Sequence, residues 1–165
     1  MKLVYTLSLL LISSLTLSFT PPVSNPAEEL NWFGWNEGYD KAEETNKIAL
    51  IDVYTDWCGW CKRMDRDTYA NSEVMELIEA DFIPIKFNPE KDGTYNVNGE
   101  EVSGPQLLAM LGNNQRFGYP TTFFIFPKER QITIEVGYKD AASFKAILTR
   151  VKEAHAKLDS QPIAD

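Results

Sequence analysis

The only two cysteines of the chain, Cys58 and Cys61, stand three positions apart in Trp57-Cys58-Gly59-Trp60-Cys61. A strand-like run leads into them and a segment of helical composition follows. That junction suits a thiolate, because the first cysteine meets unpaired backbone N–H groups and the positive end of the helix dipole. Such settings lower a thiol pKa from about 8.5 to between roughly 3.5 and 7.5. The second cysteine lies one turn on and can close a disulfide with the first. Cys58 is then the thiol that attacks a substrate disulfide, and Cys61 the one that resolves the mixed disulfide. Two other chemistries compete for the same residues. The sulfurs could hold Cu(I) or zinc, although a closed zinc site needs further Cys or His and His155 is the only histidine. They could also be inert core residues, which their spacing at such a junction argues against.

The elements that must position this pair are legible from pattern. Ile48 to Thr55 is apolar and β-branched apart from Asp52, as a central strand buried on both faces would be. Asn36 to Asn46 suggests a short surface helix. Cys58 to Tyr69 has helical composition, and Asn71 or Ser72 can cap a further helix over Glu73 to Ala80. Phe82 to Phe87 reads as a second strand and Asn88 to Val102 as loop. Pro105 to Leu111 forms a short helix with proline in its first turn and Gly112 after it. Thr121 to Phe126 and Gln131 to Val136 form a hairpin around Pro127 to Arg130, with Gly137 ending its second strand. Asp140 caps a last helix to about Leu158, with Phe144, Ile147, Leu148, Val151 and Leu158 as its apolar stripe. The order is β-α-β-α-β-β-α with a helix in front, which predicts an α/β domain with a central mixed sheet flanked by helices.

With these residues in place, the chain from about Trp32 to the last helix resembles the thioredoxin superfamily. It looks closest to secreted single-domain thioredoxin-like proteins and is similar to the C-terminal periplasmic domain of DsbD. The resemblance implies a thioredoxin-like fold and a redox-active Cys58–Cys61 disulfide with no other cofactor. It assigns Asp52, six residues before Cys58, to the buried acid that helps move the proton of the resolving cysteine. It assigns Lys86 to the lysine near that acid. Tyr119-Pro120-Thr121 matches the cis-proline turn that faces the two sulfurs, and Gly137 a glycine beside the active site. Reductase is the direction implied, with an oxidase or isomerase left open. Two departures stand out: Gly-Trp between the cysteines replaces the common Gly-Pro, and Asn88 to Asn114 is longer than the usual connection to the proline.

The supporting residues also have plainer readings. An acid in an apolar strand is costly unless paired or neutral, so Asp52 could serve the core alone. Strand alternation with Ile83, Ile85 and Phe87 would also let Lys86 face solvent. Trp57 and Trp60, beside the attacking thiol, read as an exposed docking rim for substrate, with Gly59 between them and Tyr119 and Pro120 opposite. Asn88, Glu90, Asp92 and Gly93 imitate the start of a calcium loop, but the twelfth position is Gly99 where a glutamate is required. His155 suits a polar contact near the end of the last helix. The acids Glu28, Glu29, Glu37, Glu43 and Glu44 suit a solvated face.

Composition bounds the rest. The chain has 165 residues, 44% of them hydrophobic and 24% charged, enough for one domain with a core that needs no staples. Its formal charge of −8 repels phosphate backbones, so nucleic acid is not an expected partner. Met1-Lys2 followed by the Leu-rich, uncharged Leu3 to Leu17 predicts an export signal over 1–20, cleaved or kept as an anchor. No cysteine near residue 20 could carry a lipid. A linker over 21–29, the domain over 30–159 and a tail over 160–165 complete the expected organisation. The chemistry and the leader together point to a periplasmic or secreted monomer. Its expected partners are protein disulfides and an unidentified membrane electron donor, with membrane contact only through an uncleaved leader. A fold-only binding module with little turnover is the remaining alternative.

Overall fold

The computed structural model describes residues 29–160. The expected leader, nearly all of the linker and nearly all of the tail lie outside the described residues. Within them the elements run α1 (Trp35–Thr45), β1 (Ile48–Val53), α2 (Gly59–Met64), a π-helical turn (Asp65–Tyr69), α3 (Ser72–Asp81) and β2 (Phe82–Phe87). There follow β3 (Tyr95–Val97), β4 (Glu100–Val102), α4 (Gly104–Leu111), β5 (Thr121–Phe126), β6 (Gln131–Val136) and α5 (Ala141–Asp159). No described helix is long and apolar enough to cross a membrane.

The four-stranded sheet has the order β2-β1-β5-β6. β1 is parallel to β2 and antiparallel to β5, and β5 is antiparallel to β6. Every residue of β1 is buried, as expected for a strand covered on both sides. Alternation then sorts its side chains. Ile48 and Leu50 face a core built with Phe124, Phe126, α3 and the Phe144 stripe of α5. Ala49, Ile51 and Val53 face a second core with Trp35 of α1 and Leu107 of α4. Asp52 shares the face of Ile48 and Leu50. The free edge of β2 is covered at its centre, where Phe33 N–H donates to Pro84 O (2.9 Å) and Lys86 N–H donates to Phe33 O (3.0 Å), which removes an exposed pairing edge.

Two segments differ from the expectation. The stretch read as loop over Asn88 to Val102 contains the β3–β4 hairpin. Its turn is Asn98-Gly99, with φ of 53° and 85°, the positive values that a two-residue hairpin turn demands. The helical segment after the cysteines changes pitch at Asp65 into the π turn, a form concentrated at functional sites. Thr68 Oγ1 holds that turn by donating to Lys139 O at 2.6 Å.

α4 begins at Ser103, whose backbone N–H and hydroxyl both meet Gln106 Oε1 at 2.8 Å. Its first residue, Gly104, packs so closely on the preceding segment that a Cβ there would lie 2.5 Å from Pro89 O. Gly104→Ala is therefore expected to destabilise the protein by about 1–3 kcal/mol, because backbone and not a flexible side chain must yield. A Cβ on Gly118 meets nothing within 4 Å, and Gly118→Ala should change stability by about 1 kcal/mol or less. Urea unfolding midpoints compare the two, and an equal response would mean that the Pro89–Gly104 contact does not matter.

Candidate active site

Cys58 is the N-cap of α2. β1 ends at Val53 and delivers the chain through Thr55 to Trp57 onto that helix. Cys58 and Cys61 are joined in a disulfide of 2.07 Å, with their Cα atoms 5.3 Å apart. The Cys61 N–H donates to Cys58 Sγ at 3.1 Å. This is the N-cap geometry in which a side chain accepts from the third helical residue. On reduction the same N–H, with the other free N–H groups of the helix start, favours negative charge on Cys58 over Cys61. The two residues are 4% and 2% exposed, so local hydrogen bonding separates their chemistry and burial does not.

Register brings the acid and the lysine together. Asp52 of β1 is directly opposite Lys86 of β2 and, on its other side, Thr122 of β5. Lys86 Nζ donates to Asp52 Oδ2 at 2.5 Å, so Lys86 turns inward and the solvent-facing alternative fails. The second carboxylate oxygen of Asp52, Oδ1, is buried with no hydrogen-bond partner among the described residues. Burial pushes the Asp52 carboxyl above its ordinary range, and the charge of Lys86 draws it partly back. Burial works against the Lys86 ammonium, but Asp52 and Asp65 outweigh it and raise its pKa. Tyr69 is buried against the same acid. Burial first, and the Asp52 charge second, push its phenol well above 10.

Four residues of this cluster escaped the sequence reading. Asp65 also pairs with Lys86 Nζ, so the ammonium lies between one buried and one half-exposed carboxylate. Trp32 lies under the same ammonium, 4.5 Å from Nζ to ring centroid, and Tyr54 and Tyr69 each stand at 5.2 Å. Asp65 follows Cys61 by four residues, one helical turn, and that spacing was the available signal. Cys61 and Asp65 therefore share one face of the helical run.

The rim around the sulfurs is aromatic. Trp57 is 68% and Trp60 55% exposed. Trp57 leans one way, edge-on to Tyr119 (5.8 Å) with its indole N–H donating to Glu90 Oε2 at 2.9 Å. Trp60 leans the other way, against Tyr138 at 5.5 Å. Arg63 lies over both Trp60 and Tyr138, at 5.2 and 5.0 Å. Gly59 has open space around its Cα. The Tyr119–Pro120 peptide bond is cis, and Gly137 N–H donates to Pro120 O at 2.8 Å, which ties the two loops together. Asn88 and Glu90 spend their polar atoms on Asp56, Trp57 and each other. His155 Nε2 has no hydrogen-bond partner among the described residues, and the ring stacks on Phe126 with centroids 5.6 Å apart. At this point of α5 a core aromatic is its neighbour, and the charge of His155 also acts on Asp159 at the helix end.

The chain has a thioredoxin-like, oxidoreductase-type fold that carries a Cys-x-x-Cys pair. A thioredoxin from Thermus thermophilus superposes with a TM-score of 0.59 at 21% identity, over 75% of this chain and 88% of that one. The chain belongs to the family Thioredox_DsbH, described as "Protein of unknown function, DUF255", whose model matches residues 20–164. Human spermatogenesis-associated protein 20 is 29% identical over 133 residues, 75% of this chain and 16% of that protein. The thiol:disulfide interchange protein DsbD of Ralstonia nicotianae is 28% identical over 116 residues, 70% of this chain and 17% of that protein. The chain thus spans only about a sixth of the length of these two relatives.

Proposed function

We propose that the protein is an exported thiol–disulfide oxidoreductase that reduces protein disulfides. The observation that carries this reading is the position of Cys58: capping α2, hydrogen-bonded through Sγ to Cys61 N–H, and joined to Cys61. In the dithiol form the Cys58 thiolate attacks one substrate sulfur, forming the Cys58–substrate bond and expelling the other sulfur as a thiolate. Cys61 then loses its proton and attacks Cys58 Sγ, which forms the Cys58–Cys61 disulfide and releases the second substrate sulfur. Two electrons pass to the substrate. Asp52, whose Oδ1 has no hydrogen-bond partner among the described residues, serves as acceptor for the Cys61 proton, and Lys86 holds its other oxygen. Trp57, Trp60, Tyr119 and Pro120 form the surface on which the substrate lies.

No organic cofactor enters this cycle, since the disulfide is itself the redox centre. A monomer in the periplasm or outside the cell would be recharged by a membrane-bound electron donor. The reductive direction rests on the Asp52–Lys86 pair, which resembles that of thioredoxins, and on similarity to a protein named for disulfide interchange. Equilibration of Cys58–Cys61 against glutathione tests it. A potential near thioredoxin's roughly −270 mV is expected, whereas one near the roughly −120 mV of DsbA would make the protein an oxidant. Insulin reduction driven by dithiothreitol is the companion assay, and no acceleration would remove the enzymatic reading.

A further inference from the structure

Beside the redox pair runs a groove of about 510 Å³, lined in part by Glu90, Pro105, Leu108, Arg116, Phe117 and Tyr119. It is built by the long segment between β2 and β5. Two of its lining residues, Tyr119 and Glu90, are the ones that contact the Trp57 ring, so the groove is continuous with the rim around Cys58. Its walls are fixed in place. Gly104 lets α4 close onto Pro89 O, and a Cβ on Gly112 would come within 2.4 Å of the Phe117 ring. Leu108 and Phe117 leave half-buried apolar surface in it. Arg116 is the only cation among its lining residues and Glu90 the only carboxylate. Glu90 is engaged by the Trp57 indole, whereas Arg116 is exposed and forms no ion pair among the described residues.

We propose that this groove is a specificity subsite for the polypeptide that bears the attacked disulfide. An apolar side chain near the substrate cysteine lies on Leu108 and Phe117, and an acidic side chain beyond it pairs with Arg116. The proposal rests on the thiol–disulfide reading above and adds the class of sequence that this protein prefers. A solvent-exposed ion pair is a modest contribution, so the preference is graded and sensitive to salt.

The probes are nine-residue peptides, each with one cysteine activated as a mixed disulfide with thionitrobenzoate. In one series a leucine and a glutamate precede the cysteine, and in the other they follow it. Matched peptides carry lysine for the glutamate or serine for the leucine. Attack by Cys58 forms the Cys58–peptide disulfide and expels thionitrobenzoate, whose absorbance gives the second-order rate constant. Each rate is divided by that for the thionitrobenzoate disulfide of 2-mercaptoethanol, which is too small to reach the groove.

In one series the glutamate peptide is expected to react roughly fivefold faster than its lysine match at low salt. Arg116→Glu should invert that ratio, and Leu108→Asp should erase the leucine-over-serine preference. Ratios within twofold of unity in both series, or a ratio that Arg116→Glu leaves unmoved, overturn the proposal. Failure of the small disulfide to react at all would instead remove the reading on which it rests.

Discussion

Cys58→Ser is expected to abolish disulfide reduction, and Cys61→Ser is expected to leave a protein that becomes covalently trapped on its substrate. A serine hydroxyl at position 58 stays protonated near neutral pH, so no nucleophile remains and activity should fall on the order of a thousandfold or more. At position 61 the outcome differs, because the bond that prepares Cys58 comes from the backbone. The residue-61 N–H that donates to Cys58 Sγ at 3.1 Å survives the change to serine. The first attack should therefore proceed while the resolving thiol is missing, and the mixed disulfide should accumulate. Non-reducing gels and intact mass spectrometry after mixing with a disulfide-bonded protein read this directly. Alkylation of the reduced protein at pH 6–7 should modify Cys58 first, for the same reason. Turnover at the normal rate by Cys61→Ser, or equal alkylation of both thiols, would contradict the assigned order.

The redox pair and the frame that holds it were legible because their signals are local. Phe82–Phe87, Thr121–Phe126 and Gln131–Val136 are strands with the predicted bounds, each a short β-branched or aromatic run ended by turn residues. Asp140 and Asn71 cap the helices expected of them, through Ser143 N–H at 2.7 Å and Val74 N–H at 3.2 Å. The β3–β4 hairpin was missed because its strands are three residues long, so the alternation of Tyr95-Asn96-Val97 is too short to register and β4 opens on Glu100-Glu101. Asn98-Gly99 was its one usable mark. Beyond Asp52, which the resemblance set beside it, and the one-turn spacing of Asp65 from Cys61, the surroundings of Lys86 were not readable. Trp32, Asp65 and Tyr69 reach it from a segment before α1 and from the π turn, and no period in the sequence relates those positions. Nor could composition separate an inward Lys86 from a solvated one. That choice depends on strand register, which sets Lys86 against Asp52.

Asp52→Asn is expected to slow release of the reduced substrate roughly 10- to 100-fold at neutral pH, while leaving the first attack nearly unchanged. The two oxygens of Asp52 have different surroundings. Oδ2 is bound to Lys86 and Oδ1 has no hydrogen-bond partner among the described residues; in the proposed cycle it takes the Cys61 proton, which an asparagine cannot do. Burial raises the carboxyl above its ordinary range, which makes it a stronger base and sets the shape of the pH profile. In the natural protein the release step should rise with pH as Asp52 ionises, and the variant should lack that inflection. The gap between the two should close at low pH, where Asp52 is protonated, and narrow again at high pH, where hydroxide can take the Cys61 proton directly. Stability should move the opposite way to activity. A raised folded-state pKa means the native protein binds the proton more tightly than the unfolded chain. The stabilisation this provides is complete below the unfolded value of about 3.9 and is lost as pH rises through the folded one. At neutral pH the ionised, buried Asp52 is a cost that asparagine removes. Lys86 is not orphaned by the change, because Asp65 still holds it. Asp52→Asn should thus stabilise the fold by about 1–2 kcal/mol at pH 8, with the gain shrinking toward pH 4. Urea unfolding at the two pH values, with rapid-mixing kinetics of the separate steps, decides the role. A slowed first attack with unchanged release, or a variant less stable at pH 8 than at pH 4 relative to the natural protein, would leave Asp52 a structural residue only.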